Sequence, residues 1–554
     1  MELELEGRED LGSIREHLPP VVIRSSSLFW PPKVVEALKT MSKGPQHSQL
    51  NSGHLLSLAI SHISAQPLPH SASLGFSLFF DELISRADSA KWFGEVVPAL
   101  ANLLLRFPSL LESHYQNADH PLNGDKYGFK TGLRLLGPQE AGIVLLSQEL
   151  IGALLACSFF CLFPVTNRGA KHLQTINFDS LFVTLYENYS EKQENKLKCI
   201  LHYFERICSR MPAGFVSFER KVLSFENHPQ HFCYPGADFW SRSGIRLCTF
   251  KVHSSGLIED QSGKALEVDF ANKYIGGGAL NRGCLQEEIR FMISPELIAG
   301  MVFLPRMDDN EAIEIVGAER FSDYKGYASS FHFSGDYVDE KIVDSFGRHK
   351  TRIVAIDALC SPGRRQFSLK CLLREINKAF CGFFDKSKYN QYERLFHDHG
   401  FCGAQLDQEI KDPETIFKSS PLEAPSTSAE TDKREPVNQD DRSSGKACRQ
   451  CLAHEDDIGV VTGNWGCGAF GGDPELKAII QWLAASQAQR PFISYYTFGI
   501  EELKFLDKVS RWILLHEWTV GDLWNMLVEY SFQRLREETD LGFFTWLLPS
   551  IICS

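Results

Sequence analysis

Residues 266–298 read LEVDFANKYIGGGALNRGCLQEEIRFMISPELI. The stretch opens with the period of a strand: Leu266, Val268 and Phe270 alternate with Glu267 and Asp269, as in an extended segment with one buried face. Three consecutive glycines follow, Gly276, Gly277 and Gly278. Lacking Cβ atoms, they reach positive φ and let backbone approach a ligand closely. After a short polar loop, Gln286-Glu287-Glu288 leads into the helix-like run Ile289, Phe291, Met292 and Ile293. Strand, glycine turn and helix start predict an α/β unit with two carboxylates where loop becomes helix. Backbone N–H groups at a helix start lack partners, so they favour a nearby anion.

Adjacent helical residues point about 100° apart. Glu287 and Glu288 therefore face a common substrate differently, one acting on a bond while the other orients it. Mutual repulsion and burial raise at least one carboxyl toward the range a general acid needs. The helix N-terminus opposes this by favouring the ionised form. The plainer account makes both of them solvated first-turn acids, which are common at that position.

Working outward, a second glycine-rich element, TGNWGCGAFGGDPELKAIIQWLA (462–484), also opens onto a helix. Asp473 is the expected N-cap, with Pro474 at the first helical position. Such backbone suits a phosphate or diphosphate. Without the Lys-Ser/Thr ending of a P-loop, a nucleotide-triphosphatase site is disfavoured. Two glycine loops in one domain suggest a ligand with a diphosphate at one and a sugar at the other; two tight turns without any ligand are the plainer account.

Further strands are expected at GFVSFERKVLSF (214–225), IRLCTFKV (245–252), AIEIV (312–316) and RIVAIDAL (352–359), and helices at 295–301, 369–380, 474–485 and 520–535. This alternation predicts an α/β domain over 211–540, with helices on both faces of the sheet. Ligands in such sheets sit at the carboxyl ends of the strands. Residues 1–30 are read as irregular. Residues 31–210 carry helical periodicity at 32–41, 55–63, 74–84, 92–107, 139–163 and 178–204, and are read as an all-helical accessory region. Residues 418–449 have no aromatic residue and abundant Ser, Thr, Pro and charge; they are read as a disordered insertion.

The chain of 554 residues is 43% hydrophobic, with a formal net charge of −13. That balance argues against direct nucleic-acid binding, which needs basic patches. A polyanionic ligand would be gripped locally, by loop amides and rings. The 15 cysteines lie mostly in apolar runs, such as Cys157, Cys161, Cys199, Cys248 and Cys381, and no secretory signal precedes them. Reduced thiols in an intracellular protein are expected. Cys448, Cys451 and His454 have zinc-like spacing, but no second pair completes four ligands, so no metal is expected. The longest apolar run, 150–166, falls short of a membrane span, so a buried helix is expected there.

The glycine triplet, seven residues, then QEE, preceded by VDFAN, resembles the signature of the poly(ADP-ribose) glycohydrolase family. Further segments are similar in the same order: LSQELIGALLACSFFCLFP (146–164), INFDSLF (176–182), FSDYKGYA (321–328), RIVAIDAL (352–359), REINKAFCGF (374–383), TGNWGCGAFGGD (462–473) and TVGDLW (519–524). The resemblance spans about residues 140 to 530. It implies a macrodomain-like mixed sheet flanked by helices and preceded by a helical region. It also implies hydrolysis of the ribose–ribose bonds of poly(ADP-ribose), without a cofactor.

By matching motif, the resemblance makes Glu288 the catalytic acid/base. Glu287 would orient the reacting ribose, supported by Asp269, Asn272, Gln286 and the Gly276–Gly278 turn. Ile258 and Glu259 match the segment that reads the adenine edge, and Tyr327 and Phe498 match the rings that sandwich it. Asn464, Gly466, Cys467, Gly468, Ala469, Phe470 and Gly471 would wrap the diphosphate. Residues 279–282, ALNR, lie between the glycine and glutamate motifs and look variable, which could alter chain-length preference. Poly(ADP-ribosyl)ated proteins in the nucleus and cytoplasm, a role in the DNA damage response, and a monomer are the accompanying expectations. Two other readings stay open: a module that binds ADP-ribose without cutting it, and a metal-dependent ADP-ribosyl hydrolase or phosphoesterase.

Overall fold

The computed structural model describes residues 5–24, 27–64, 66–118, 130–165, 168–226, 232–260, 265–385 and 458–552. Both the 418–449 insertion and the Cys448–Cys451–His454 group lie outside the described residues. At the centre is a nine-stranded mixed sheet. Its strands are β1 (Gly142–Ser147), β2 (Phe215–Ser224), β3 (Phe232–Cys233), β4 (Thr249–His253), β5 (Ala265–Asp269), β6 (Glu311–Val316), β7 (Arg352–Ala355), β8 (Gly459–Gly463) and β9 (Phe492–Tyr496). Across the sheet the order is β1-β2-β6-β7-β5-β8-β9-β4, with β3 paired to β2. The block β7-β5-β8-β9-β4 is parallel, and β1, β2 and β6 extend it antiparallel.

The principal helices are α1 (Val97–Ala118), α2 (Gln148–Phe159), α3 (Glu191–Ser209), α4 (Gln286–Ile293), α5 (Leu369–Phe383), α6 (Pro474–Gln487) and α7 (Val520–Leu535). Alternation along the strands sends side chains to two cores. Ile313, Ile315, Ile353 and Ala355 join the apolar interior of the N-terminal helices. Ala312, Val354, Ile356, Leu266, Val268, Val460 and Ile493 pack under α5, α6 and α7. The sheet is thus covered on both faces, as parallel sheets require, and the N-terminal helices share one continuous core with it. One helical stretch, Arg86–Ala118, is long and apolar enough to cross a membrane, yet half of that window is buried inside the fold.

Several expected elements come out differently. Gly142–Ser147 is an edge strand, not the start of a helix, because GIVLLS pairs with β2 before Ser147 caps α2 by accepting from the Leu150 N–H at 3.2 Å. The 178–204 segment is two helices, Asp179–Glu187 and Glu191–Ser209. Within the stretch read as irregular, Glu9–Ile14 is helical, and Val22–Arg24 pairs with Ser27–Phe29. Strands β8 and β9 had no counterpart among the sequence expectations. The β5 alternation is real, but its polar face is buried too: Glu267 is closed in against Arg290, at 2.6 Å, and Lys341, at 3.0 Å.

Candidate active site

The parallel strands end on one side of the molecule, and the chemistry gathers there, outside their carboxyl ends. Strand β5 ends at Asp269, β8 at Gly463, β9 at Tyr496 and β4 at His253. Gln286 fastens the exit from β5. Its side chain accepts from the Phe270 N–H at 2.8 Å and donates to the Val268 carbonyl at 3.1 Å.

The Gly276–Gly278 turn does not present open amides, contrary to the expectation of a ready anion site. The Gly276 and Gly278 N–H groups are taken by the two glutamates themselves, and the Gly277 N–H donates to the Tyr274 carbonyl at 3.0 Å. Glu287 accepts from the N–H groups of Asn272, at 2.8 Å, and Gly276, at 2.6 Å. Glu288 accepts from Gly278, at 3.0 Å, and from Leu285, at 2.8 Å, closing the start of α4. The acceptors that the helix start and glycine backbone engage are internal. Gly276 and Gly277 have positive φ, and a Cβ on Gly283 would lie 2.7 Å from the Glu288 carboxyl carbon. Gly283 was not singled out in the sequence; its position just ahead of QEE was the only available signal.

Burial separates the two acids: Glu287 is 4% exposed, whereas Glu288 is half-buried and reachable. Burial, reinforced by the neighbouring Asp269 charge, holds the Glu287 carboxyl well above the usual range. Asp269 is 1% exposed and neither carboxyl oxygen has a hydrogen-bond partner among the described residues. Burial and the field of Glu288 push it up to about 8, with Arg290 opposing.

Unfolded, an aspartate ionises near about 3.9. Between there and about 8 the folded state keeps a proton that the unfolded state has released, so stability falls as pH rises through that window. Asp269→Asn removes this term. Its melting temperature should fall less than the wild type's between pH 5 and pH 8, by about 2 °C or more. Equal falls would contradict the assignment of a buried, proton-holding Asp269.

The second glycine element runs from the end of β8 to α6. Gly466 and Gly471 have positive φ. A Cβ on Gly466 would meet Ala358 at 2.5 Å and Lys477 Nζ at 3.2 Å. Lys477 lies beneath the loop, 4.0 Å from the Trp465 ring centre and ion-paired with Glu375. The Gly471 and Gly472 N–H groups close the loop on Gly468 and Gly466 carbonyls, and the Cys467 N–H on Asn464. Those of Gly466, Gly468, Ala469 and Phe470 have no acceptor among the described residues. They are the open donors that an anion can use. Asp473 caps α6 by accepting from the Leu476 N–H at 2.9 Å, as expected.

The remaining candidates surround these two loops. Ile258 is buried against Ala265, Val461 and Tyr496, with Phe270 alongside. The Glu259 carboxylate accepts from the Tyr324 hydroxyl on the hairpin (Ser322–Lys325, His332–Asp336) that carries Tyr327. Tyr327 and Phe498 both expose their rings. The Tyr327 hydroxyl is held above its ordinary range mainly by desolvation. Phe498 has φ of 52° and lies over Gly463 beside Phe270. Two candidates spend their side chains internally. Asn464 donates to the Thr497 carbonyl at 3.0 Å and accepts from the Tyr495 hydroxyl at 3.1 Å. Asn272 accepts from the Tyr274 N–H at 3.1 Å. Among the described residues no group of three His, Cys, Asp or Glu converges as metal ligands.

Comparison with known proteins matches the two parts of this architecture separately. Residues 84–220 match the family described as poly(ADP-ribose) glycohydrolase, helical domain, and residues 237–505 match poly(ADP-ribose) glycohydrolase, macro domain fold. Poly(ADP-ribose) glycohydrolase 1 of Arabidopsis thaliana is 61% identical over 99% of this chain and 98% of its own. Probable poly(ADP-ribose) glycohydrolase 2 of the same plant is 54% identical over 99% of this chain and 100% of its own. Poly(ADP-ribose) glycohydrolase 1 of Caenorhabditis elegans is 30% identical over 60% of this chain and 35% of its own. With both parts matched and two relatives covering nearly every residue, the chain belongs to the poly(ADP-ribose) glycohydrolase family.

Proposed function

We propose that this protein hydrolyses the ribose–ribose O-glycosidic bonds of poly(ADP-ribose) and releases ADP-ribose. The observation that carries the reading is the placement of Glu288. It is a reachable carboxyl fixed by two backbone N–H groups after β5, and the next strand, β8, opens the loop with unspent amides.

In this reading the amides of Gly466, Gly468, Ala469 and Phe470 take the diphosphate of the terminal unit. Tyr327 and Phe498 hold the adenine, with Ile258 and Glu259 at its edge. Glu288 protonates the departing ribose oxygen as positive charge builds at the anomeric carbon. It then takes a proton from the attacking water. Glu287, the more enclosed of the two acids, orients the ribose instead of reacting. Fixing both ends of one unit confines the reacting atoms, an effect that can contribute several kcal/mol. One acid serving both transfers differs from the paired-carboxylate glycosidases, whose spacing sets the outcome.

The same reading makes poly(ADP-ribosyl)ated proteins the partners, in nucleus and cytoplasm and within the DNA damage response. Cys157, Cys161, Cys199, Cys208, Cys248, Cys284, Cys360, Cys371 and Cys467 carry free thiols, which suits a reducing compartment. The direct test is incubation with end-labelled polymer, with and without excess chelator, followed by separation of the products. Free ADP-ribose should accumulate equally in both. Polymer that is retained but uncut, or cutting that stops with chelator, would overturn the reading.

A further inference from the structure

We propose that Lys196, on helix α3 of the N-terminal helical region, is a positioning residue for the catalytic loop, holding residues 279–285 so that Glu288 stays aimed. This inference rests on the glycohydrolase reading of Glu288. Lys196 is fully buried, and its ammonium donates to two carbonyls of that loop, Asn281 at 2.7 Å and Gly283 at 2.6 Å. The neighbouring turn of α3 adds Gln193, which donates to the Asn281 carbonyl at 3.2 Å. A cation is costly to bury without strong acceptors, so these carbonyls are fixed relative to α3.

The loop in turn sets the position of Glu288. The Gly283 N–H closes on the Gly278 carbonyl at 3.1 Å, and the Gly278 N–H is one of the two that hold Glu288. Gly283 backbone lies directly against the Glu288 side chain, since a Cβ there would sit 2.7 Å from it. Lys196 therefore reaches Glu288 through a single backbone segment. Burial lowers the Lys196 ammonium to about 8, while the fields of Cys284 and Glu288 favour its charge, which is consistent with an amine close to the acid. The region's contribution to catalysis is thus mechanical: α3 is the wall against which the loop is braced. Asn195 on the same helix accepts from the Phe333 N–H, at 3.1 Å, on the hairpin carrying Tyr327, so one helix steadies both sides of the site.

The test compares Lys196→Met, which keeps chain length without the charge, with Gln193→Ala, which leaves the buried lysine in place. Three readouts are used: kcat and KM for polymer cleavage, amide exchange of residues 279–288, and melting temperature. Lys196→Met should lower kcat about 10- to 100-fold with KM within about threefold, and should speed exchange in 279–288 while the α5 and α6 amides stay protected. Gln193→Ala should move the same two readouts in the same direction by a smaller factor. If Lys196→Met fails to fold, Gln193→Ala alone decides. Unchanged exchange in 279–288, or a loss confined to KM or to global stability, would overturn the proposal. A wild type that does not cleave polymer would sink the glycohydrolase reading instead, and the exchange data would still report whether Lys196 braces the loop.

Discussion

Glu288→Gln should lower polymer cleavage by about 10²- to 10⁴-fold, the range a positioned acid/base contributes. The substitution keeps the side chain's length and its acceptor toward the Gly278 or Leu285 N–H, but removes the transferable proton. Binding of ADP-ribose, which draws on the amides of Gly466, Gly468, Ala469 and Phe470 and the exposed rings, should change by less than about threefold. The signature is therefore a fall in kcat with affinity preserved, measured by product release and by calorimetry with ADP-ribose. A variant within about tenfold of wild type would remove Glu288 from the chemistry. The enclosed Glu287 is not an equivalent substitute, because it is buried while Glu288 is half-buried and reachable.

Gly277→Ala should be almost as damaging, though no reactive group is lost. A Cβ at that position would stand 2.6 Å from a Glu287 oxygen and 2.7 Å from a Glu288 oxygen, in a backbone conformation with φ of 48°. Real Cβ atoms do not approach neighbours so closely, so the turn or both carboxyls must move. Strain at such a φ costs about 1–3 kcal/mol, and displacement of the acid by about 1 Å can cost 10²-fold in rate. Gly169→Ala, where a Cβ meets nothing within 4 Å, is the control for folding. Near-normal kcat in Gly277→Ala would mean that the glutamates are not held where the structure has them.

How far the sequence discloses this arrangement depends on the distance over which each contact acts. The triple glycine and QEE are separated by one short loop, and strand, turn and helix start could all be read locally. The N-cap Asp473 and the α5 and α7 helices were legible for the same reason. Strands β8 and β9 were not, because GVVTG and FISYY are buried on both faces and lack the alternation of a half-exposed strand. Strand β1 was absorbed into the apolar run of α2. The spent amides of Gly276 and Gly278 were hidden too, since their acceptors, Glu287 and Glu288, lie ten or eleven residues further on. Lys196 is the extreme case. Its partners are 85 and 87 residues away, and within its own helix it reads only as one lysine among several.

The most direct measurement is a crystal structure of the Glu288→Gln variant holding an ADP-ribose oligomer. The diphosphate should lie on the N–H groups of Gly466 and Gly468 to Phe470, with the side chain at 288 within about 3 Å of the bridging ribose oxygen. An oligomer whose glycosidic bond lies far from position 288, or whose diphosphate rests elsewhere, would contradict the account.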